Sequence, residues 1–139
     1  MSKIKIIIAD DHTLIAEAWS FLLSQKPDYS VEKIYNNTKT LLDEIETVQP
    51  DILLLDLNIT PLNGIAAAEQ IKLLLPNLFI IGVSMHNEVS FANRMIQSGA
   101  SAYVTKNSHQ EEMFIAIEEV LKGNIYICNE IRLQNELFE

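Results

Sequence analysis

The chain has 139 residues, the length of one domain with a single hydrophobic core. Its 48% hydrophobic and 21% charged residues are ordinary for a globular protein and exclude a disordered chain. Nineteen acidic side chains against ten basic ones give a net charge of −9, which speaks against this chain binding nucleic acid by itself.

Hydrophobic spacing predicts alternating strands and helices. Ile4 to Ala9 is a short, β-branched, nearly continuous apolar run, the mark of a strand buried on both faces, and it ends at Asp10-Asp11. Ile15, Ala18, Trp19, Leu22 and Leu23 then recur at helical spacing up to Lys26-Pro27. Ser30 to Tyr35 reads as a second strand, less apolar and therefore expected at an edge. Leu41, Leu42, Ile45 and Val48 form a second helical stripe, stopped by Pro50.

Asp51 to Asp56 is the clearest buried strand in the chain, and Thr60-Pro61-Leu62-Asn63-Gly64 is turn chemistry. A helix follows from about Ile65 to Leu75, then a fourth strand from Phe79 to Ser84. Phe91, Ala92, Met95 and Ile96 mark a fourth helix ended by Gly99, and Ser101 to Thr105 a short fifth strand. Met113, Ile117, Val120 and Leu121 mark a fifth helix ending at Gly123. This rhythm implies a parallel sheet with helices on both faces. The tail, 124–139, lies outside the repeat and is expected to begin a linker, with Ile127, Ile131 and Leu133 or Leu137 loosely helical.

In an open parallel sheet, ligands bind at the carboxyl ends of the strands. Those ends carry Asp10-Asp11, Asp56, Ser84 and Thr105-Lys106. Any one polar residue at a strand end is unremarkable, but three carboxylates crowded together repel and call for a cation. Hard oxygen donors with no His/Cys set suit Mg²⁺, and a carboxylate beside it can accept a phosphoryl group as an aspartyl phosphate. Lys106 offers a point charge and Ser84 a hydroxyl to the phosphoryl oxygens. The single cysteine, Cys128, excludes an internal disulfide and any cysteine-rich metal site. No apolar run is long enough to span a bilayer, and the start is too short and too acidic for a signal peptide, so a cytoplasmic setting without membrane association is expected.

Three readings share this site. One is a phosphoacceptor signalling module. Another is a phosphatase-like or phosphomutase enzyme using an aspartyl phosphate, whose leaving group needs an acid two residues after the nucleophile; that position holds Asn58. A third is a flavin or nucleotide binder, whose first loop needs Gly, Ser or Thr donors where Asp10-Asp11-His12 stands.

Together these residues resemble the receiver domain of two-component response regulators, over roughly Ile4 to Gly123. Asp10-Asp11-His12, Asp56-Leu57-Asn58, Ser84-Met85-His86 and the run Gly99 to Lys106 resemble the NarL/FixJ type of transcriptional regulator in particular. The resemblance implies an α/β, flavodoxin-like (CheY-like) doubly wound sheet of five parallel strands in the order 2-1-3-4-5. It implies a receiver over residues 1–123 with Asp56 as phosphoacceptor and Lys106 and Ser84 meeting the phosphoryl group. It implies Mg²⁺ (or Mn²⁺) held by Asp11, Asp56 and the backbone carbonyl of Asn58, and by Asp10 through water. Ser84 and Tyr103 then form the switch, with Tyr103 swinging inward when Ser84 moves to the phosphoryl group. His86 occupies a position that tunes hydrolysis. His109 is expected to be an exposed residue near a helix start, and Trp19 a core residue.

The implied partner is a sensor histidine kinase, and a homodimer is compatible with apolar residues on the first, fourth and fifth helices. DNA is expected only through a LuxR-type helix-turn-helix domain after the linker, absent from these residues; the alternative is a stand-alone receiver acting through protein contacts. Enzymatic turnover is not expected beyond slow self-phosphorylation and self-dephosphorylation. Two positions depart from the pattern. Thr60 stands where proline is usual, with Pro61 following, and Met85 replaces a small residue beside Ser84.

Overall fold

A computed structural model describes residues 3–138. The chain alternates β1 (Ile4–Ala9), α1 (Thr13–Ser24), β2 (Tyr29–Tyr35), α2 (Thr38–Val48), β3 (Ile52–Asp56), α3 (Gly64–Leu74), β4 (Phe79–Ser84), α4 (Val89–Gln97), β5 (Ala102–Thr105) and α5 (Gln110–Leu121). Each apolar run expected to be a strand is one. β3 is buried at all five positions and β1 at its last four, because both faces of a parallel sheet are covered by helices.

Helix starts follow local capping. The Asn37 side chain accepts from Thr40 N at the start of α2, and Asn63 accepts from Ala66 N at the start of α3, each satisfying a backbone N–H with no partner inside the helix. His109 does the same for Glu111 N at α5, so it is the exposed helix-start residue expected of it.

With a short β6 (Tyr126–Ile127), the strands form one sheet in the order β2-β1-β3-β4-β5-β6, all parallel. β2 is an edge strand, as its lower apolar content implied. The expected order 2-1-3-4-5 is present, but the sheet has six strands rather than five. Tyr126–Ile127 adds β6 beside β5, pairing with Ala102 and Tyr103. Two residues are too few to show a periodicity, so this strand is invisible in the apolar pattern. Beyond it lies α6 (Asn129–Phe138), whose buried Ile131 follows the buried Cys128. The tail is helical over Asn129–Phe138 and packs on the domain it follows.

α2, α3, α4 and α6 touch in succession on one face of the sheet. α5 packs on β4 and β5, and Lys26, just after α1, lies over the Phe114 ring of α5, so α1 and α5 share the other face. This two-sided wrapping leaves the carboxyl ends of β1, β3, β4 and β5 side by side at one end of the sheet. No helix among the described residues is long and apolar enough to cross a membrane.

Candidate functional site

Register alone brings the strand-end residues together. Ala9 pairs with Leu55, Asp56 with Val83, and Ser84 with Thr105, so Asp10, Asp56, Ser84 and Lys106 end four adjoining strands. Asp10, Asp11, His12 and Asp56 each offer one ligand atom, all within 4.8 Å of one another. Asp10 and Asp56 are buried, whereas Asp11 and His12 are exposed at the mouth.

Lys106 lies across this cluster. Its Nζ is 3.0 Å from Asp10 Oδ2, 3.3 Å from Asp56 Oδ1 and 2.7 Å from His12 Nδ1. Asp56 Oδ1 also accepts from Asn58 N at 3.4 Å. Asp56 Oδ2 is buried and has no hydrogen-bond partner among the described residues. A buried carboxylate oxygen without a donor is costly, and a bound cation or donor at this strand end would relieve that cost. Burial raises the Asp56 carboxyl above its usual range, the Asp10 charge raises it further, and Lys106 opposes both.

The close approach of α3 shapes the floor. A Cβ on Gly64 would lie 2.5 Å from Asp56 O, so only glycine lets the helix start directly under the acidic loop. Thr38 N donates to Thr60 O, and Leu62 N donates to Thr38 Oγ1, tying this loop to α2; the Thr60-Pro61 bond is cis. Met85 is exposed, at 58%.

Ser84 is fully buried, and its Oγ accepts from His86 N at 3.0 Å. The His86 ring stacks on Phe91 with centroids 4.3 Å apart and brings Nε2 to 3.1 Å from the Asn58 side-chain nitrogen. Tyr103 is buried already in the inward position, its hydroxyl donating to His86 O at 2.8 Å. Burial pushes its phenol up to about 12, so that hydroxyl remains a donor over the ordinary pH range. Met95 is also buried, beside Gly82.

The structure therefore brings Asp10, Asp11, Asp56 and Lys106 into one cluster, with the exposed Asn58 two residues beyond Asp56 and reaching His86. Two contacts were not foreseen: His12, placed near the site by its sequence position, contacts Lys106 directly, and Trp19 lines the same small gap as Asp10 and Asp56 while remaining a core residue. The helical spacing that buries Trp19 was visible in the sequence, but which strand ends it reaches was not. The donor set, carboxylate oxygens with one orphaned and buried, fits a hard divalent cation.

Residues 6–118 match the response regulator receiver domain family. The chain is 28% identical over 126 residues to the transcriptional regulatory protein DegU of Brevibacillus brevis, covering 91% of this chain and 53% of that protein. It is 32% identical over 130 residues to the oxygen regulatory protein NreC of Staphylococcus epidermidis, covering 88% and 57%. The chain thus spans about half the length of these curated relatives. A crystal structure of a LuxR-family two-component response regulator from an Aurantimonas species superposes with a TM-score of 0.92 at 29% identity, covering 99% of this chain and 100% of that one. The receiver domain of a putative NarL regulator from Mycobacterium tuberculosis shares the fold, with a TM-score of 0.83 at 24% identity over 89% of this chain and all of that one. With a strand-end cluster of three aspartates and one lysine on a doubly wound sheet, this chain belongs to the response regulator receiver domain family.

Proposed function

We propose that this receiver domain accepts a phosphoryl group on Asp56 from the phosphohistidine of a sensor histidine kinase. The P–N bond to the kinase imidazole breaks as a P–O bond to an Asp56 carboxylate oxygen forms, and the imidazole leaves with the bonding electron pair. The observation that carries this reading is Asp56 Oδ2, a buried carboxylate oxygen with no hydrogen-bond partner among the described residues.

Mg²⁺ or Mn²⁺ would be held by Asp11, Asp56 and the Asn58 carbonyl, and by Asp10 through water; the acidic cluster of Asp10, Asp11 and Asp56 supports this. A cation there supplies charge neutralisation for the carboxylates and for the transferring phosphoryl oxygens. Lys106, held between Asp10 and Asp56, is placed to pair with the phosphoryl group. Ser84 hands its hydroxyl to the same group, and Tyr103 reads its movement through the His86 carbonyl. Self-phosphorylation by small phosphodonors and self-dephosphorylation are slow side reactions of this site.

The setting we propose is cytoplasmic. In a longer protein the output is transcriptional control through a DNA-binding domain after residue 123 and its linker, working as a homodimer; the relatives' names, a transcriptional and an oxygen regulatory protein, support a regulatory output. The test is acetyl phosphate with Mg²⁺. Wild-type chain is expected to gain a phosphoryl group that EDTA prevents and that Asp56→Asn does not gain. Labelling of Asp56→Asn at the wild-type level removes Asp56 from this role.

A further inference from the structure

The tail is tied to the same residues that frame the site. Cys128 N donates to Tyr103 O at 3.0 Å, which fixes β6 to the strand carrying Tyr103. The buried Glu112 on α5 accepts from Asn129 N with both carboxylate oxygens, anchoring the first residue of α6. Glu130 then bridges two segments: its Oε1 accepts from the Asn87 side chain at 2.9 Å, and its Oε2 accepts from Thr105 Oγ1 at 2.7 Å. Gln134 adds a second hold on the same loop by donating to Asn87 O at 3.0 Å. Between α4 and the tail, Ile131 is buried beside Val89 and Ala92.

Both ends of the Glu130 bridge lead back to the strand-end cluster. Thr105 precedes Lys106, which contacts Asp10 and Asp56. Asn87 follows His86, whose N–H is held by Ser84 Oγ and whose carbonyl is held by Tyr103. The buried Tyr103 ring and Met95 both lie beside Gly82, where a Cβ would collide with Met95 Cγ at 2.7 Å, so this space is filled. β6 pairs with the outer side of β5, and α6 packs on α4.

We propose that docking of β6 and α6 is the element through which the state of Asp56 is passed on, with Glu130 as the coupling residue. This rests on Asp56 being the phosphoacceptor. A phosphoryl group that fixes Ser84 and Lys106 also fixes Asn87 and Thr105, the two groups Glu130 holds. Tail docking requires the same inward Tyr103 and the same loop position. The two events therefore favour one another, and by linkage each strengthens the other by the same factor.

The test is hydrogen exchange on the 139-residue chain with Mg²⁺, with and without beryllofluoride as a phosphoryl stand-in, alongside intact-mass measurement after acetyl phosphate. The α6 amides of wild type are expected to exchange about 5-fold or more slowly with beryllofluoride, the lower end of ordinary coupling strengths. Glu130→Ala, a substitution at a half-exposed helix position away from the acidic cluster, is expected to accept the phosphoryl group and lose that slowing. Phosphoryl uptake with unchanged or faster α6 exchange overturns the coupling and leaves the phosphoacceptor reading standing. A Glu130→Ala chain that keeps the full slowing overturns the role of Glu130. Absence of phosphoryl uptake overturns the phosphoacceptor reading and the coupling with it.

Discussion

Lys106 Nζ and Asp56 Oδ1 lie 3.3 Å apart, each on a side chain only 1% exposed. They are far apart in the sequence, one in each half of the chain, and meet because β3, β4 and β5 end in register. The ammonium is shared with Asp10, so one buried cation serves two buried carboxylates. That imbalance makes the site both unstable on its own and receptive to a second cation.

Removing the lysine leaves both carboxylates buried without their cation. Lys106→Ala is expected to lower unfolding free energy by about 3 kcal/mol, the usual size for orphaning a buried charge partner. Urea denaturation checks it. Mg²⁺ should restore part of the loss, because it supplies the missing positive charge.

Asp56→Asn is expected to act in the opposite direction. The folded-state Asp56 carboxyl is raised above its ordinary value of 3.8, chiefly by burial and then by Asp10. A raised carboxyl contributes stability that is fully present below 3.8 and is lost as pH rises through its folded value. Ionised Asp56 therefore weakens the metal-free fold near neutral pH, and the amide removes that cost. Without divalent ions at pH 7 the variant should be more stable by about 1 kcal/mol, typical of a single well-placed substitution. The advantage should shrink as pH falls toward 4. An advantage that grows with acid would contradict the sign argued for Asp56.

Trp19 is the single tryptophan and lines the gap beside Asp10 and Asp56. Its emission should therefore change on Mg²⁺ titration in a saturable way. Asp11→Ala should weaken the apparent affinity by roughly 10-fold or more, the cost of losing one carboxylate ligand at about 1.4 kcal/mol per decade. An identical titration curve for that variant would remove Asp11 from the ligand set.

His86 stacks on Phe91 and reaches the Asn58 side chain, so the two together form a roof at the mouth of the site. His86→Ala opens that roof to water. The phosphorylated chain should lose its phosphoryl group several-fold faster, followed by intact mass over time. An unchanged lifetime would mean that the ring shields nothing.

Much of this was legible in the amino acids. The runs Ile4–Ala9 and Asp51–Asp56 are apolar enough to mark central strands, and each ends on an acid, so strand order alone predicts that Asp10 and Asp56 meet. Asp10, Asp11, Asp56 and Lys106 are brought together as the strand ends implied. Less legible were contacts set by side-chain reach rather than spacing. His12 to Lys106 depends on the first turn after β1, and His86 to Asn58 on two loops meeting. β6 was hidden because Tyr126–Ile127 is too short to carry a pattern, and its place is fixed by pairing with Tyr103 instead. The inward Tyr103 follows from the space beside Gly82 and Met95, which no local signal reveals.

The most direct test is to treat the chain with acetyl phosphate and Mg²⁺, trap the acyl phosphate by borohydride reduction and map it by peptide mass spectrometry. The modification is expected on Asp56 alone, absent with EDTA and absent in Asp56→Asn. Reduction mapped to Asp10 or Asp11, or labelling indifferent to chelation, would contradict the assignment of Asp56 as the carboxylate that takes the phosphoryl group beside a divalent ion.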